Sequence, residues 1–371
     1  MPVSFLDLKR EHEEVGAGVR AAAERVLGGG AYILGREVEA FEREWARFCG
    51  VSSCAGVANG TDALALALVA SGAVRPGRRD EVITAPLSAG YTALGVLNAG
   101  GVPTFSDIDP ETFTLDPRAL ERALTPRTRA VVPVHLYGRM TDMEAVCDFA
   151  SRRGLVVVED AAQAQGARLV RRRAGAWGHA AAFSFYPTKN LGAYGDGGAV
   201  TSDDAQLIDR VKELRQGGHP SAMKGRVAGR NSRLDELQAA ALRVKLKRLD
   251  AWNRKRRRLA GTYHKLLSRR VRQLILPSTG ADINSHVFHL YVVRHPERDR
   301  LRAHLAARGV ETLIHYPAPL HLQTLFRRPR QPALSSAERL TNEILSLPLY
   351  PQLRDEELRA VADAVLEFEE R

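Results

Sequence analysis

Leu155-Val156-Val157-Val158-Glu159-Asp160-Ala161-Ala162-Gln163 is a short aliphatic run closed by two carboxylates and an amide. An unbroken, β-branched run of this length reads as a strand buried on both faces. A carboxylate at the carboxyl end of such a strand lies at the crevice where open α/β sheets hold ligands. Outward from it, residues 81–84, 103–106 and 130–134 are further short apolar runs, with helix candidates near 91–99, 117–123 and 142–153. Strands alternating with helices predict a mostly parallel sheet between helices, an α/β fold. Before them, Val38, Phe41, Trp45 and Phe48 mark an amphipathic helix.

After about Leu249 the pattern changes. A long basic helix leads to a strand-like stretch over 287–293, a helix near 298–308 and a last helix over 355–370. We therefore expect a large domain over 1–249 and a smaller C-terminal α+β domain over 250–371, each within the usual size range. Residues 217–229, rich in glycine and polar groups, read as a long loop.

The 44% hydrophobic and 26% charged fractions of the 371 residues are those of an ordinary globular chain. Met1 to Lys9 has no basic segment followed by an apolar run. The longest aliphatic run, 63–70, is far short of the ~20 residues of a membrane helix. Cys49, Cys54 and Cys147 are odd in number and lack CxxC spacing, so neither a disulfide framework nor a metal site is expected. These features predict a cytoplasmic protein without a membrane partner. The net charge of +11 fits either nucleic acid or an anionic small substrate. Its densest part, 243–258, follows a stripe of Leu234, Leu237, Ala241 and Val244 that marks a buried helix face. The basic side chains there are read as a solvated face, and no nucleic-acid-binding motif accompanies them.

Four local features carry chemistry. Asn59-Gly60-Thr61-Asp62 opens an apolar helix, where free amides and a hydroxyl make either a phosphate seat or an ordinary N-cap. Glu159-Asp160 could grip a ribose, but no GxGxxG opens a helix after an upstream strand, so a nicotinamide site is not indicated. Phe183-Ser184-Phe185-Tyr186-Pro187-Thr188-Lys189-Asn190-Leu191-Gly192, followed by Gly195-Asp196-Gly197-Gly198, sets a lysine between an aromatic strand and a glycine-rich turn. A lysine so placed can form an imine with an aldehyde. Asn231-Ser232-Arg233-Leu234-Asp235-Glu236 groups polar residues before the long helix, which a capped helix start would also do.

Taken in order, these stretches resemble the nucleotide-sugar aminotransferases of the DegT/DnrJ/EryC1/StrS family, from Phe5-Leu6-Asp7 to Leu347-Pro348. The resemblance implies the fold-type I architecture and pyridoxal 5'-phosphate as cofactor. By the same resemblance, Lys189 would carry the cofactor as a Schiff base and Asp160 would pair with the pyridine nitrogen. Gln163 would contact the ring, and Gly60, Thr61 and Ser184 would hold the phosphate. Asn231 would reach in from the second subunit of a homodimer with shared sites, and Arg233 would meet a substrate carboxylate or phosphate. Relatives that dehydrate sugars carry histidine where this chain has Lys189.

One stretch departs from the family pattern. Gly90 stands where an aromatic residue usually stacks on the cofactor, which leaves Tyr91 as the candidate. The segments around His289-Leu290-Tyr291 and His315-Tyr316-Pro317 resemble the branch acting on dTDP-linked 3-keto-6-deoxyhexoses. In that branch Tyr186, His315 and Tyr316 would lie near the nucleotide-linked keto-sugar, with glutamate as amino donor. A proline-fixed turn at Pro317 and Pro319 also accounts for the last pair. Amination at C4 and a non-catalytic, cofactor-binding regulator are the alternatives.

Overall fold

The computed structural model describes residues 2–75, 77–218, 229–268, 270–280, 282–328 and 332–370. Strands β1 (Ser53–Val57), β2 (Glu81–Thr84), β3 (Val102–Phe105), β4 (Thr128–Val132) and β5 (Val156–Asp160) are followed by a small ribbon. That ribbon, β6 (Arg168–Leu169) with β7 (Arg172–Arg173), precedes β8 (Ala180–Ser184) and β9 (Gly198–Ser202). Seven strands form one sheet in the order β1-β9-β8-β5-β4-β2-β3. Strand β9 is antiparallel to both neighbours, and the other pairings are parallel.

Helices α1 (Leu8–Gly29), α2 (Arg36–Cys49), α3 (Gly60–Ala70), α4 (Gly90–Asn98), α5 (Leu120–Ala123), α6 (Met143–Ser151), α7 (Ala205–Leu214) and α8 (Glu236–Leu267) surround it. Side chains alternate across each strand. Val131 and Val157 pack with Phe41 and Trp45 of α2, Val146 and Phe149 of α6 and Leu242 of α8. Ala130, Val132 and Val158 pack with α3, α4 and α7 on the opposite face. Both faces are thus apolar, which is why the strands read as continuous runs. The strand ends differ from the sequence reading by one or two residues at 103–106, 130–134 and 155–158, where hydrogen-bond pairing and not hydrophobicity sets the limit.

The C-terminal part contains β10 (Tyr291–Arg294), α9 (Arg298–Ala307), α10 (Ser335–Glu343), β11 (Ile344–Leu347) and α11 (Asp355–Glu369), with β10 antiparallel to β11. Leu259, Tyr263 and Leu267 of α8 share its core with Leu301, Leu358 and Val361. Val3, at the other end of the chain, joins the same core and bridges Val310. Helix α8 runs unbroken through position 249.

Two expectations are corrected. The strand expected over 287–293 begins only at Tyr291, because Phe288 takes a left-handed φ of 46° and its ring lies flat against His286. The stripe expected for α8 holds only in part. Leu234 and Ala241 are buried, but Leu234 precedes the helix and Leu237 is exposed, and the buried line runs through Ala239, Leu242, Lys245, Leu249, Trp252 and Arg256. Two cations of the basic run therefore face inward. Lys245 Nζ donates to the Gly192 carbonyl at 2.8 Å and pairs with Glu11 at 2.7 Å, and Arg256 donates to the carbonyls of Phe288, His289 and Leu349. Lys247, Arg248, Arg254, Lys255 and Arg258 are exposed, as a solvated face requires. Most of the expected loop at 217–229, residues 219–228, lies outside the described residues.

Candidate active site at the carboxyl edge of the sheet

The register of the sheet brings the sequence motifs to one edge. Val57 and Ser184 both pair with Gly198, so the ends of β1 and β8 and the start of β9 meet there, and Asp160 ends β5 on the other side of β8. On this edge lie Gly60 and Thr61 after β1, Tyr91 after β2, Asp160 and Gln163 after β5, and Ser184, Tyr186 and Lys189 after β8. The alternation of β5 sends its two carboxylates to opposite sides. Glu159 is wholly buried, bonded to His135 Nε2 at 2.9 Å and to the amides of Gly175, Trp177 and Gly178, and these donors hold it below the usual carboxylate range against burial. Asp160 turns toward the site, where Thr92 Oγ1 donates to its Oδ2 at 2.7 Å and the Ala162 amide to its Oδ1 at 3.2 Å.

Lys189 is partly buried, and burial brings its amine from 10.5 down to about 8, with the charge of Asp160 opposing the shift. Two histidines feel its charge. Burial lowers His315 to about 4 and holds His289 well below its ordinary value, with Lys189 adding to both, so both imidazoles are neutral. The tautomer of His289 follows from its neighbours. Asn253 Nδ2 donates to the Gln165 carbonyl, so its Oδ1 accepts from Asn190 Nδ2 at 2.9 Å. The Asn190 oxygen, 3.2 Å from His289 Nδ1, must then accept, which leaves Nε2 of His289 without a proton.

Gln163 joins the sheet edge to the C-terminal part. Its Oε1 accepts from the Tyr137 amide at 2.7 Å, and its Nε2 donates to the Tyr316 hydroxyl at 3.0 Å. Burial raises Tyr316 to about 12, so it remains a phenol. The Tyr137 hydroxyl donates to the His315 carbonyl, and His315 Nδ1 is 2.8 Å from Ser346 Oγ. Tyr137 has a left-handed φ of 58°, a conformation that turns its amide to Gln163.

The residues present fit pyridoxal phosphate. Asn59 caps α3, its side chain accepting from the Asp62 amide at 2.8 Å and its carbonyl from Ala63, so the Gly60 and Thr61 amides are left for an anion. A Cβ on Gly60 would come within 2.7 Å of Ser184 Cβ, so only glycine lets the helix start meet the Ser184 strand end this closely. Lys189 and Asp160, close enough for the carboxylate to act on the amine, are the amine and the carboxylate that the aldehyde and ring nitrogen of such a group would call for.

Other expected site residues sit differently. Tyr91 is 67% exposed, and its neighbour Thr92 is the one that reaches Asp160. Tyr186 is 53% exposed, its carbonyl accepting from the Lys189 amide. Asn231 is exposed and Arg233 partly buried, while Ser232 between them turns inward and accepts from the Ala58 amide. Ser88, Thr92 and Tyr137 belong to the site without standing in any of the four sequence motifs. The i, i+4 spacing of the Ser88 and Thr92 hydroxyls is the one local signal that marks a pair.

Three comparisons bear on this site. A model of the DegT/DnrJ/EryC1/StrS aminotransferase family matches residues 14–366. The chain is 46% identical over 371 residues, 100% of this chain and 97% of the relative, to a dTDP-3-amino-3,4,6-trideoxy-alpha-D-glucose transaminase of Streptomyces venezuelae. It is 43% identical over 370 residues, 99% of each chain, to a pleiotropic regulatory protein of Geobacillus stearothermophilus. Among solved structures, that of S. venezuelae DesV in complex with a ketimine intermediate matches with a TM-score of 0.95 at 46% identity, covering 100% of both chains.

Proposed function

Because the chain belongs to the DegT/DnrJ/EryC1/StrS aminotransferase family, whose cofactor is pyridoxal phosphate, we propose that it moves an amino group from glutamate to the C3 ketone of a dTDP-linked 3-keto-6-deoxyhexose. The observation that carries this reading is the 46% identity along the whole chain to a transaminase named for a 3-amino sugar linked to dTDP. The loop of His315 and Tyr316 supports it, since Tyr316 accepts from Gln163 and His315 is within reach of the charge of Lys189.

Bound pyridoxal phosphate supplies an aldehyde and an electron sink. Gly60, Thr61 and Ser184 would hold its phosphate, Asp160 would accept from its ring nitrogen, and the second Nε2 proton of Gln163 is free for its ring oxygen. Lys189 Nζ, whose affinity for protons is lowered by burial, takes a proton from the α-carbon of the donor and returns one to C3 of the sugar. Glutamate leaves as 2-oxoglutarate and the ketone becomes an amine. Neutral His315 and the Tyr316 phenol offer hydrogen bonds to the sugar nucleotide without a competing positive charge. Arg233 is the candidate for the donor carboxylate or a substrate phosphate. Asn231, exposed in one chain, would complete the phosphate site of a second copy in a homodimer. A cytoplasmic setting suits the three free cysteines.

The regulatory relative favours a second reading, in which the cofactor is held without sugar turnover. Incubation with glutamate and a dTDP-linked 3-keto-6-deoxyhexose, with NMR of the product, separates them. A 3-amino sugar is expected. An amine at C4 overturns the regiochemistry, and consumption of neither substrate by cofactor-loaded protein favours the regulator.

A further inference from the structure

Behind Asp160 lies a pair of buried hydroxyls that the reaction outlined above does not use. Ser88 precedes α4 and Thr92 sits in its first turn, and each is 2% exposed. Thr92 Oγ1 is 2.7 Å from Asp160 Oδ2, and Ser88 Oγ is 2.8 Å from Thr92 Oγ1. A carboxylate can only accept. Thr92 must therefore donate to Asp160, and Ser88, with Thr92's one proton already committed, must donate to Thr92. The chain of hydroxyls runs one way, from Ser88 to Thr92 to Asp160. With the Ala162 amide on the other oxygen, both Asp160 oxygens are tied and the plane of the carboxylate is fixed. The charge of Asp160 acts on Lys189 and Tyr316, which approach from the loop after β8 and the loop after α9. Neither is hydrogen-bonded to the carboxylate, so its orientation is set by the Ala162 amide on one oxygen and, from the α4 side, by Thr92 on the other.

We propose that Thr92 and Ser88 are positioning residues that aim the Asp160 carboxylate at the ring nitrogen of the cofactor. Helix α4 matters to the cofactor through this pair, since Tyr91 at the same helix start points its ring outward. The inference rests on Asp160 being the partner of that nitrogen. Hydroxyls at 88 and 92 that merely satisfied their own burial needs would have no reason to end on a carboxylate at the sheet edge. A donor to a charged acceptor is among the stronger protein hydrogen bonds, and its loss leaves the carboxylate free to turn.

The test compares Thr92→Val, which keeps the shape and removes the donor, with Thr92→Ser, which restores it, and with Ser88→Ala and Asp160→Asn. Two measurements read the cofactor and not turnover: its dissociation constant, and the visible circular dichroism of the bound ring, which reports orientation. Thr92→Val is expected to weaken pyridoxal phosphate binding roughly 10- to 100-fold, the worth of a hydrogen bond to a charged group, and to change the dichroism. Thr92→Ser should recover both, and Ser88→Ala should shift both in the same direction by less. Unchanged affinity and dichroism in Thr92→Val, or a change in melting temperature alone, overturns the proposal. If Thr92→Val does not fold, Ser88→Ala decides by the same two readings. If Asp160→Asn itself matches the wild type, the assignment of Asp160 falls and the relay falls with it, an outcome distinct from failure of the relay alone.

Discussion

At the scale of single residues the decisive quantity is the proton affinity of Lys189. An ordinary lysine is almost wholly protonated near neutrality and attacks an aldehyde only through its small fraction of free amine. Burial brings Lys189 to about 8, so about half of it is free amine at that pH. The two imidazoles near it are neutral, and the carboxylate of Asp160 keeps the shift from going further. The sign is set by the direction of the shift: raising the pH through about 8 converts the folded protein's Lys189 to the reactive form, while an exposed lysine waits for 10.5. We predict that in the apoprotein the rate of borohydride-trappable coupling of pyridoxal phosphate to Lys189 rises with pH around a midpoint near 8. A midpoint like that of an exposed lysine would contradict it, and trapping on another lysine would remove the assignment.

Elements bring these residues together through very close backbone approach. The junction of β1, α3, β8 and β9 leaves no room for side chains at its glycines. A side chain at Gly198 would collide with the Asn59 carbonyl, and one at Gly60 with Ser184. Backbone cannot yield as a flexible side chain does, so Gly198→Ala should part β9 from the start of α3. We predict a loss of about 1–3 kcal/mol in urea unfolding, the usual range for overpacking, together with weaker cofactor binding. Gly28, near the exposed end of α1, is the control, because a Cβ built there would meet no atom within 4 Å. There alanine should be neutral, or should stabilise by up to ~1 kcal/mol from helix propensity. Equal losses at both positions would refute the argument from close approach. The same scale explains the basic run of α8: its charges are spread around the helix, so some face water while Lys245 and Arg256 bind carbonyls inside.

For the molecule as a whole, Asn231 poses the question of a second subunit. Its neighbours Arg230 and Ser232 are bound to their own chain at the start of α3 and just before it, at Asp62 and Ala58, while Asn231 itself is exposed. A side chain held beside a helix start by its neighbours, yet turned outward, is suited to completing the corresponding site in a second copy. Lys189→Ala and Asn231→Ala proteins, each inactive, should regain part of the activity when mixed and re-associated, because one site of each heterodimer receives both wild-type residues. Absence of recovery after demonstrated subunit exchange would place Asn231 in its own chain's site.

The sequence alone determined the class of sheet and the identity of the main chemical groups. Strands buried on both faces must be continuously apolar, so the runs at 81–84, 130–134 and 155–158 were legible as strands without coordinates, though the pairing that sets their ends was not. Gly60, Asp160, Ser184 and Lys189 stood in motifs marked by the family resemblance, and their meeting at one edge has a related reason: each follows or closes a strand, and strand ends in a parallel sheet share one edge. The tertiary structure decided what depends on contacts distant in the chain. Glu159 and Asp160 are adjacent in sequence, but one is locked beneath the sheet and the other faces the site, because successive strand residues point to opposite sides. Thr92 lies 68 residues from Asp160 and Tyr316 lies 153 from Gln163, and no local pattern announces either hydrogen bond. The lowered proton affinity of Lys189 belongs to the same class, since burial is a property of everything that packs around the amine and not of the residues beside it.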